Sequence, residues 1–90
     1  MPSLTAIEET LMLDMATLTK RLAITMSDRG VVYANQGNYD KAISDFTEAI
    51  RLDPQFAPAY YNRGTAYLHK GDHAKANADF ATARRLKAAQ

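Results

Sequence analysis

His69 and His73 are the two histidines of a 90-residue chain, and they stand four apart. On one helix that spacing would present two imidazoles to a divalent metal. Gly71 lies between them and should end a helix, and no third ligand follows at useful spacing. No metal site is expected, and His73 is read as a packing residue. Asp45 and Glu48 lie one helical turn apart, as a pair of carboxylates for acid–base work would, but a solvated helix face accounts for them. Ser27 and Asp28 beside Tyr33 have no histidine at a spacing that would build a triad. There is no cysteine, hence no thiol nucleophile and no disulfide framework. The four glycines, Gly30, Gly37, Gly64 and Gly71, do not form a phosphate-cradling loop. Neither catalysis nor a cofactor is expected.

The composition excludes further classes. The apolar share is 47% and net charge is +1, ordinary for one small folded domain. Charge is unevenly placed: residues 1–56 hold 5 basic and 8 acidic side chains, residues 57–90 hold 6 basic and 2 acidic. Arg84, Arg85 and Lys87 complement the dipole at the end of a last helix. The same asymmetry suits charge-steered contact between opposite ends of two chains. The basic residues lack an aromatic stacking platform, so nucleic acid is not an expected partner. No apolar run approaches the roughly 18 residues of a membrane span, so no membrane role is expected. The opening, MPSLTAIEETLMLDM, has no basic leader. Together with the absence of cysteine this points to a cytoplasmic protein.

What positions these side chains is a repeat. Residues 23–56 laid over 57–90 without a gap give 12 identities in 34 places. Gly30 falls on Gly64, Tyr33 on Tyr67, Gly37 on Gly71, Ala42 on Ala76, Phe46 on Phe80, Ala49 on Ala83 and Leu52 on Leu86. A period of 34 with Gly and Tyr on one helix and Ala, Phe and Ala on the next resembles the tetratricopeptide repeat (TPR) family. The first unit reads Met26, Arg29, Gly30, Tyr33, Ala42, Phe46, Ala49, Pro54. The second reads Tyr60, Arg63, Gly64, Tyr67, Ala76, Phe80, Ala83, with Ala88 where the closing Pro is usual. Arg29 and Arg63 depart from the usual Leu. The resemblance implies an all-α fold, a right-handed α-α superhelix of helix–turn–helix repeats.

A glycine inside a helix costs about 1 kcal/mol against Ala, so Gly30 and Gly64 are expected where a neighbouring helix comes close. Ala42, Ala49, Ala76 and Ala83 should be the small residues facing them, with Tyr33, Tyr67, Phe46 and Phe80 filling the space between helices. Gly37 and Gly71 suit left-handed C-terminal caps. Helices are expected over 23–36, 39–53, 58–70 and 73–88, with Pro54 stopping the second and Pro58 early in the third. The polar Asn77, in place of Ile43, marks a face that a following helix does not fully cover.

Residues 1–22 are not a recognisable repeat: Glu8, Met12 and Met15 stand where Ala, Phe and Ala should be. They read as an N-terminal amphipathic helix. Leu4, Ile7, Leu11, Met15, Leu18, Leu22 and Met26 recur at three and four, a stripe along one face. Ser3 or Thr5 can cap its start, and Thr5-x-x-Glu8 has the form of a capping box. Either one helix runs over about 5–36, or the chain breaks near Lys20–Thr25, with Thr19 or Thr25 capping a fresh start. The unbroken pattern favours the long helix. Met12, Met15 and Met26 read as core filling rather than an adaptable binding surface.

The chain is therefore expected to comprise 1–22 as an N-terminal helix, 23–56 as unit one and 57–90 as unit two. The family resemblance implies a non-catalytic protein–protein interaction module whose concave groove holds a partner's peptide or helix. Carried over place by place, the groove would present Ser27, Val31, Ala34 and Asn35 from unit one. Unit two would present Tyr61, Asn62, Thr65, Leu68 and His69. Binding of a chaperone's C-terminal carboxylate, known in the family, is disfavoured, because only Asn62 of that residue set is matched. The alternative is self-assembly. Two repeats are fewer than the three usually needed for stability, and a long straight helix would leave Leu4, Ile7, Leu11, Met15 and Leu18 bare. A homodimer is expected to cover them.

Overall fold

The structure is a computed structural model that describes residues 3–90. Of the N-terminal segment, residues 1 and 2 lie outside the described part. Four helices follow one another: α1 (Leu4–Asn35), α2 (Tyr39–Leu52), α3 (Ala57–His69) and α4 (His73–Ala88). There is no strand among the described residues. Each helix packs on the next, and α1 also meets α3. This is an all-α helical repeat fold, two helical hairpins stacked side by side.

The first helix is unbroken over 32 residues. No Gly or Pro interrupts it near Lys20–Thr25, and its threonines do not cap a fresh start there. A threonine starts a helix by accepting from a backbone N–H at its N-terminus. Here the hydroxyls of Thr10, Thr17, Thr19 and Thr25 instead donate to the carbonyls four residues back, at 2.9–3.1 Å, a pattern compatible with helix interiors. The start is capped by Ser3, whose hydroxyl accepts from the N–H of Ala6 at 3.2 Å. Thr5 lies inside the first turn, so the capping-box expectation at Thr5 is corrected in favour of Ser3.

Both hairpins turn in the same way. Gly37 has φ +78° and Gly71 φ +85°, the left-handed region that a glycine enters without penalty. The amide of Asn38 then reaches back to the Tyr33 carbonyl and that of Gly37 to Ala34, both at 2.9 Å. Asp72 to Tyr67 and Gly71 to Leu68 repeat the pattern at 2.9 and 3.0 Å. These paired bonds are a Schellman motif. Asn38 and Asp72 at once cap the following helices, accepting from Lys41 and Lys75.

Small residues let the helices approach. Ala23, Ala49 and Ala59 form one buried cluster, with Met26, Ile50, Leu52 and Phe56 around it. Ala42, Phe46 and Ala66 form a second. A Cβ placed on Gly30 would fall 2.6 Å from the ring of Phe46, so the ring occupies the space a side chain would need. Gly64 repeats this against Phe80, at 2.9 Å, and its Cβ would also meet the Ala76 carbonyl at 3.2 Å. Phe46 is only 1% exposed because α3 lies over it through Ala66. Phe80, its counterpart 34 residues on, is half-buried.

The hairpins are joined through Pro54, whose carbonyl accepts from the Tyr60 hydroxyl at 3.0 Å. Pro58 stands in the first turn of α3, where its missing N–H is not needed. Lys70 and Asp40 form an ion pair across the hairpins.

The N-terminal half of α1 runs clear of this body. The molecule measures 58 × 27 × 14 Å, with a radius of gyration of 15.9 Å, against about 12 Å for a compact chain of this length. Leu4 is 78% exposed, and Ile7, Leu11, Met12, Met15, Leu18 and Leu22 are exposed with it. Met12 and Met15 are thus not core residues; of the three, Met26, beside the repeats, is the one that packs inward. No helix of the described residues is long and apolar enough to cross a membrane.

Candidate peptide-binding groove

Two arginines hold the hairpins in shape. Arg29 on α1 donates from Nε and Nη2 to the two carboxylate oxygens of Asp45 on α2, at 2.8 and 2.9 Å. Arg63 on α3 does the same to Asp79 on α4, both contacts at 2.8 Å. Such two-pronged pairs fix angle as well as distance. Both carboxylates are buried, so Asp45 does not belong to a solvated face. Sequence reading noted both arginines as departures from Leu but missed their partners. The signal was present: each pair is separated by 16, and Asp45 falls on Asp79 in the 34-residue register. Glu48 turns outward and pairs with Arg51.

The two arginines differ in their surroundings. Arg63 also donates to the Thr47 hydroxyl on α2 at 3.2 Å, and its guanidinium lies over the rings of Tyr60 and Tyr67 at 5.9 and 5.8 Å. It is 19% exposed, against 56% for Arg29, which lies over Tyr33 alone, at 5.9 Å. The hydrogen bond to Asp79 raises the Arg63 pKa against the opposing effect of burial. That to Asp45 raises Arg29 in the same way. Both stay charged wherever the protein is folded.

The frame leaves a concave hollow of about 280 Å³ between α1 and α3. Val31, Ala34 and Asn35 line it from α1, and Asn62, Thr65 and His69 from α3. Six of the nine residues expected at a groove are brought together here. Ser27 is not among them: it is 3% exposed, one turn after Ala23 and one before Gly30 on the face of α1 that packs inward. Tyr61 and Leu68 are exposed but lie outside the hollow. Tyr61 leans on Phe80 instead, ring centroids 5.5 Å apart. Tyr39, Phe46 and Ala66, not anticipated as lining, form the rest of the wall.

The chemistry of the hollow is neutral. No Lys, Arg, Asp or Glu lines it. The amides of Asn35 and Asn62 make no hydrogen bond with any described residue, leaving donors and acceptors available for a peptide backbone. Thr65 donates to the Tyr61 carbonyl at 3.1 Å, so its hydroxyl is left as an acceptor. His69 is stacked face to face on Tyr39, centroids 4.7 Å apart and planes within 5°, which fixes the imidazole at the hollow's edge. His73 begins α4 while His69 ends α3, so the two histidines do not share a helix. His73 is exposed, contrary to its expected packing role. Its register mate Tyr39 is packed because the next hairpin brings a ring, His69, against it. Among the described residues no group of three or more His, Cys, Asp or Glu is placed to hold a metal ion.

Two family profiles match this sequence. One, described as TPR repeat, covers residues 30–71; the other, described as tetratricopeptide repeat, covers 57–89. The chain belongs to the tetratricopeptide repeat family. Repeats of this family indicate a protein–protein interaction module. The chain is also similar to a rice protein, probable UDP-N-acetylglucosamine--peptide N-acetylglucosaminyltransferase SPINDLY (Oryza sativa subsp. japonica). The identity is 42% over 41 residues, 46% of this chain and 4% of the rice protein. The chain thus spans a small fraction of that relative's length, and the likeness is confined to repeat sequence. The rice protein's transferase activity does not follow for this chain.

Proposed function

We propose that this TPR chain is a non-catalytic interaction module, with unit one at 23–56 and unit two at 57–90, that receives a partner's peptide or helix in the hollow between α1 and α3. The observation that carries this reading is the pairing of two uncommitted amides, Asn35 and Asn62, across a hollow with apolar and hydroxyl walls. Two asparagines lining one hollow, one on each helix, can hold a peptide backbone, each offering a donor and an acceptor. Val31 and Ala34 give small apolar ground for side chains. The lack of charge in the lining argues for a partner segment read by backbone and shape rather than by acidic or basic groups. A displayed random-peptide library tests this. The wild-type chain should enrich a family of sequences, and Asn35→Ala with Asn62→Ala should lose them while keeping its helical content. Equal enrichment by the variant would place peptide binding elsewhere.

A second reading is self-assembly into a homodimer, favoured by the exposed stripe of Leu4, Ile7, Leu11, Met15 and Leu18. A row of large apolar residues on a projecting helix is more than monomers usually leave in water. Sedimentation tests it: a folded species at the 10.0 kDa of one chain at micromolar concentration would remove this reading.

A further inference from the structure

The groove between α1 and α2 is filled by α3, which covers Phe46 and sets Ala59 against Ala23 and Ala49. The same groove recurs 34 residues later between α3 and α4. There it is an open hollow of about 820 Å³. Its floor is Phe80, Ala83 and Ala57, the register mates of Phe46, Ala49 and Ala23. The first hairpin shows what such a floor takes: an α-helix laid along it.

The rim differs between the two grooves. Asn77, Arg84 and Lys87 line the open one where the first hairpin carries Ile43, Ile50 and Asp53. Its occupant must therefore offer acidic residues beside its apolar face. The bare half of α1 has that character. From Leu4 to Leu22 it is 19 residues of one helix, about 28 Å long at 1.5 Å per residue. The 16 residues of α4 span about 24 Å by the same measure. Its exposed stripe runs through Leu4, Leu11, Met15, Leu18 and Leu22. At 3.6 residues per turn, Glu8 falls on one edge of that stripe and Asp14 on the other, and no Lys or Arg precedes Lys20.

We propose that the α3–α4 groove is a docking site for the N-terminal half of α1 from a second copy of this chain. This rests on the self-assembly reading and gives it a surface. A chain cannot fill its own groove this way. Its α1 is continuous, is held at the first hairpin through Ala23, Ser27 and Gly30, and carries residues 4–22 away from the repeats. Each copy offers one helix and one groove, so a reciprocal exchange between two copies uses both and closes with two-fold symmetry. Arg84 and Lys87, both on the α4 wall, meet the acidic edge of the visiting helix, Glu8 or Asp14 according to its direction, and this complementarity sets the partner and the register.

Charge reversal tests the pairing, because all four residues are exposed; since Glu at 84 and 87 opposes the α4 dipole, circular dichroism first checks that each variant keeps its helical content. Arg84→Glu with Lys87→Glu, and separately Glu8→Lys with Asp14→Lys, should each weaken self-association by about tenfold or more. Mixed together, the two variants should regain it, since each helix then meets a groove of opposite sign. The absence of cysteine permits a second measurement. Copies carrying Leu11→Cys should form a mixed disulfide with copies carrying Asn77→Cys under mild oxidation. Leu11→Cys copies linking only to one another, with the charge variants still associating normally, would overturn the groove while leaving self-assembly standing. Wild-type chain sedimenting as a monomer, with no mixed disulfide, would overturn both.

Discussion

Arg63 reaches Asp79 with two parallel hydrogen bonds of 2.8 Å and, from its remaining nitrogen, the Thr47 hydroxyl of the preceding hairpin. One side chain thus ties three helices together. Arg29 and Asp45 repeat the pair, but no earlier hairpin borders Arg29 in this structure, and its guanidinium is half in water.

That difference orders two mutations. Asp45→Ala leaves Arg29 largely hydrated, and the loss should be the smaller of the two. Asp79→Ala strands Arg63 where little water reaches it, and about 1–3 kcal/mol is expected. Urea unfolding of the two variants checks the order; a larger loss for Asp45→Ala would show that Arg63 finds other partners.

Gly30 and Gly64 are matched in sequence but not in tolerance. Alanine in either place gains up to about 1 kcal/mol of helix propensity and meets a phenylalanine ring. At Gly30 the ring is that of Phe46, sealed under α3, and overpacking of about 1–3 kcal/mol should win. At Gly64 the ring of Phe80 can swing toward the open groove, although the Ala76 carbonyl at 3.2 Å still asks for a small shift. Gly30→Ala should therefore lower the melting temperature clearly more than Gly64→Ala. Equal effects would mean that Phe80 is held as firmly as Phe46.

Gly37 and Gly71 test a different cost. A side chain on either would meet nothing within 4 Å, so only the positive φ opposes substitution. Gly37→Ala should destabilise by about 1–2 kcal/mol, and Gly37→Asn by less, because asparagine enters the left-handed region more readily. Circular dichroism melts give both values. An alanine variant as stable as the wild type would show that the turn relaxes to another geometry.

Much of this architecture was legible because the constraints repeat. Gly30 with Gly64, Gly37 with Gly71, and the Ala–Phe–Ala pattern fix helix ends and close approaches through local backbone rules, and each rule appears twice in phase. The unbroken α1 was readable from the lack of Gly or Pro between Pro2 and Gly30. Side chains whose fate depends on a partner helix were harder. Ser27 and its register mate Tyr61 stand at the same place in two units, yet one is buried and the other exposed. Asp45 looked like any surface carboxylate, because burial of a charge is decided by an arginine 16 residues away. His73 was assigned a packing role from Tyr39, whose own packing comes from the following hairpin.

The projecting helix gives the last prediction. Residues 4–22 touch little of the repeat body, so Leu11→Glu with Leu18→Glu should leave the fold of residues 23–90 intact. If a second copy covers that stripe, the two-chain state alone is stabilised by mass action, and the wild-type melting temperature must rise with protein concentration. The double variant should melt at one temperature over the same range, below that of the concentrated wild type. Melts over a hundredfold range of concentration, read by circular dichroism with sedimentation on the same samples, separate the cases. A wild type whose melting temperature ignores concentration would mean that the stripe stays bare in solution.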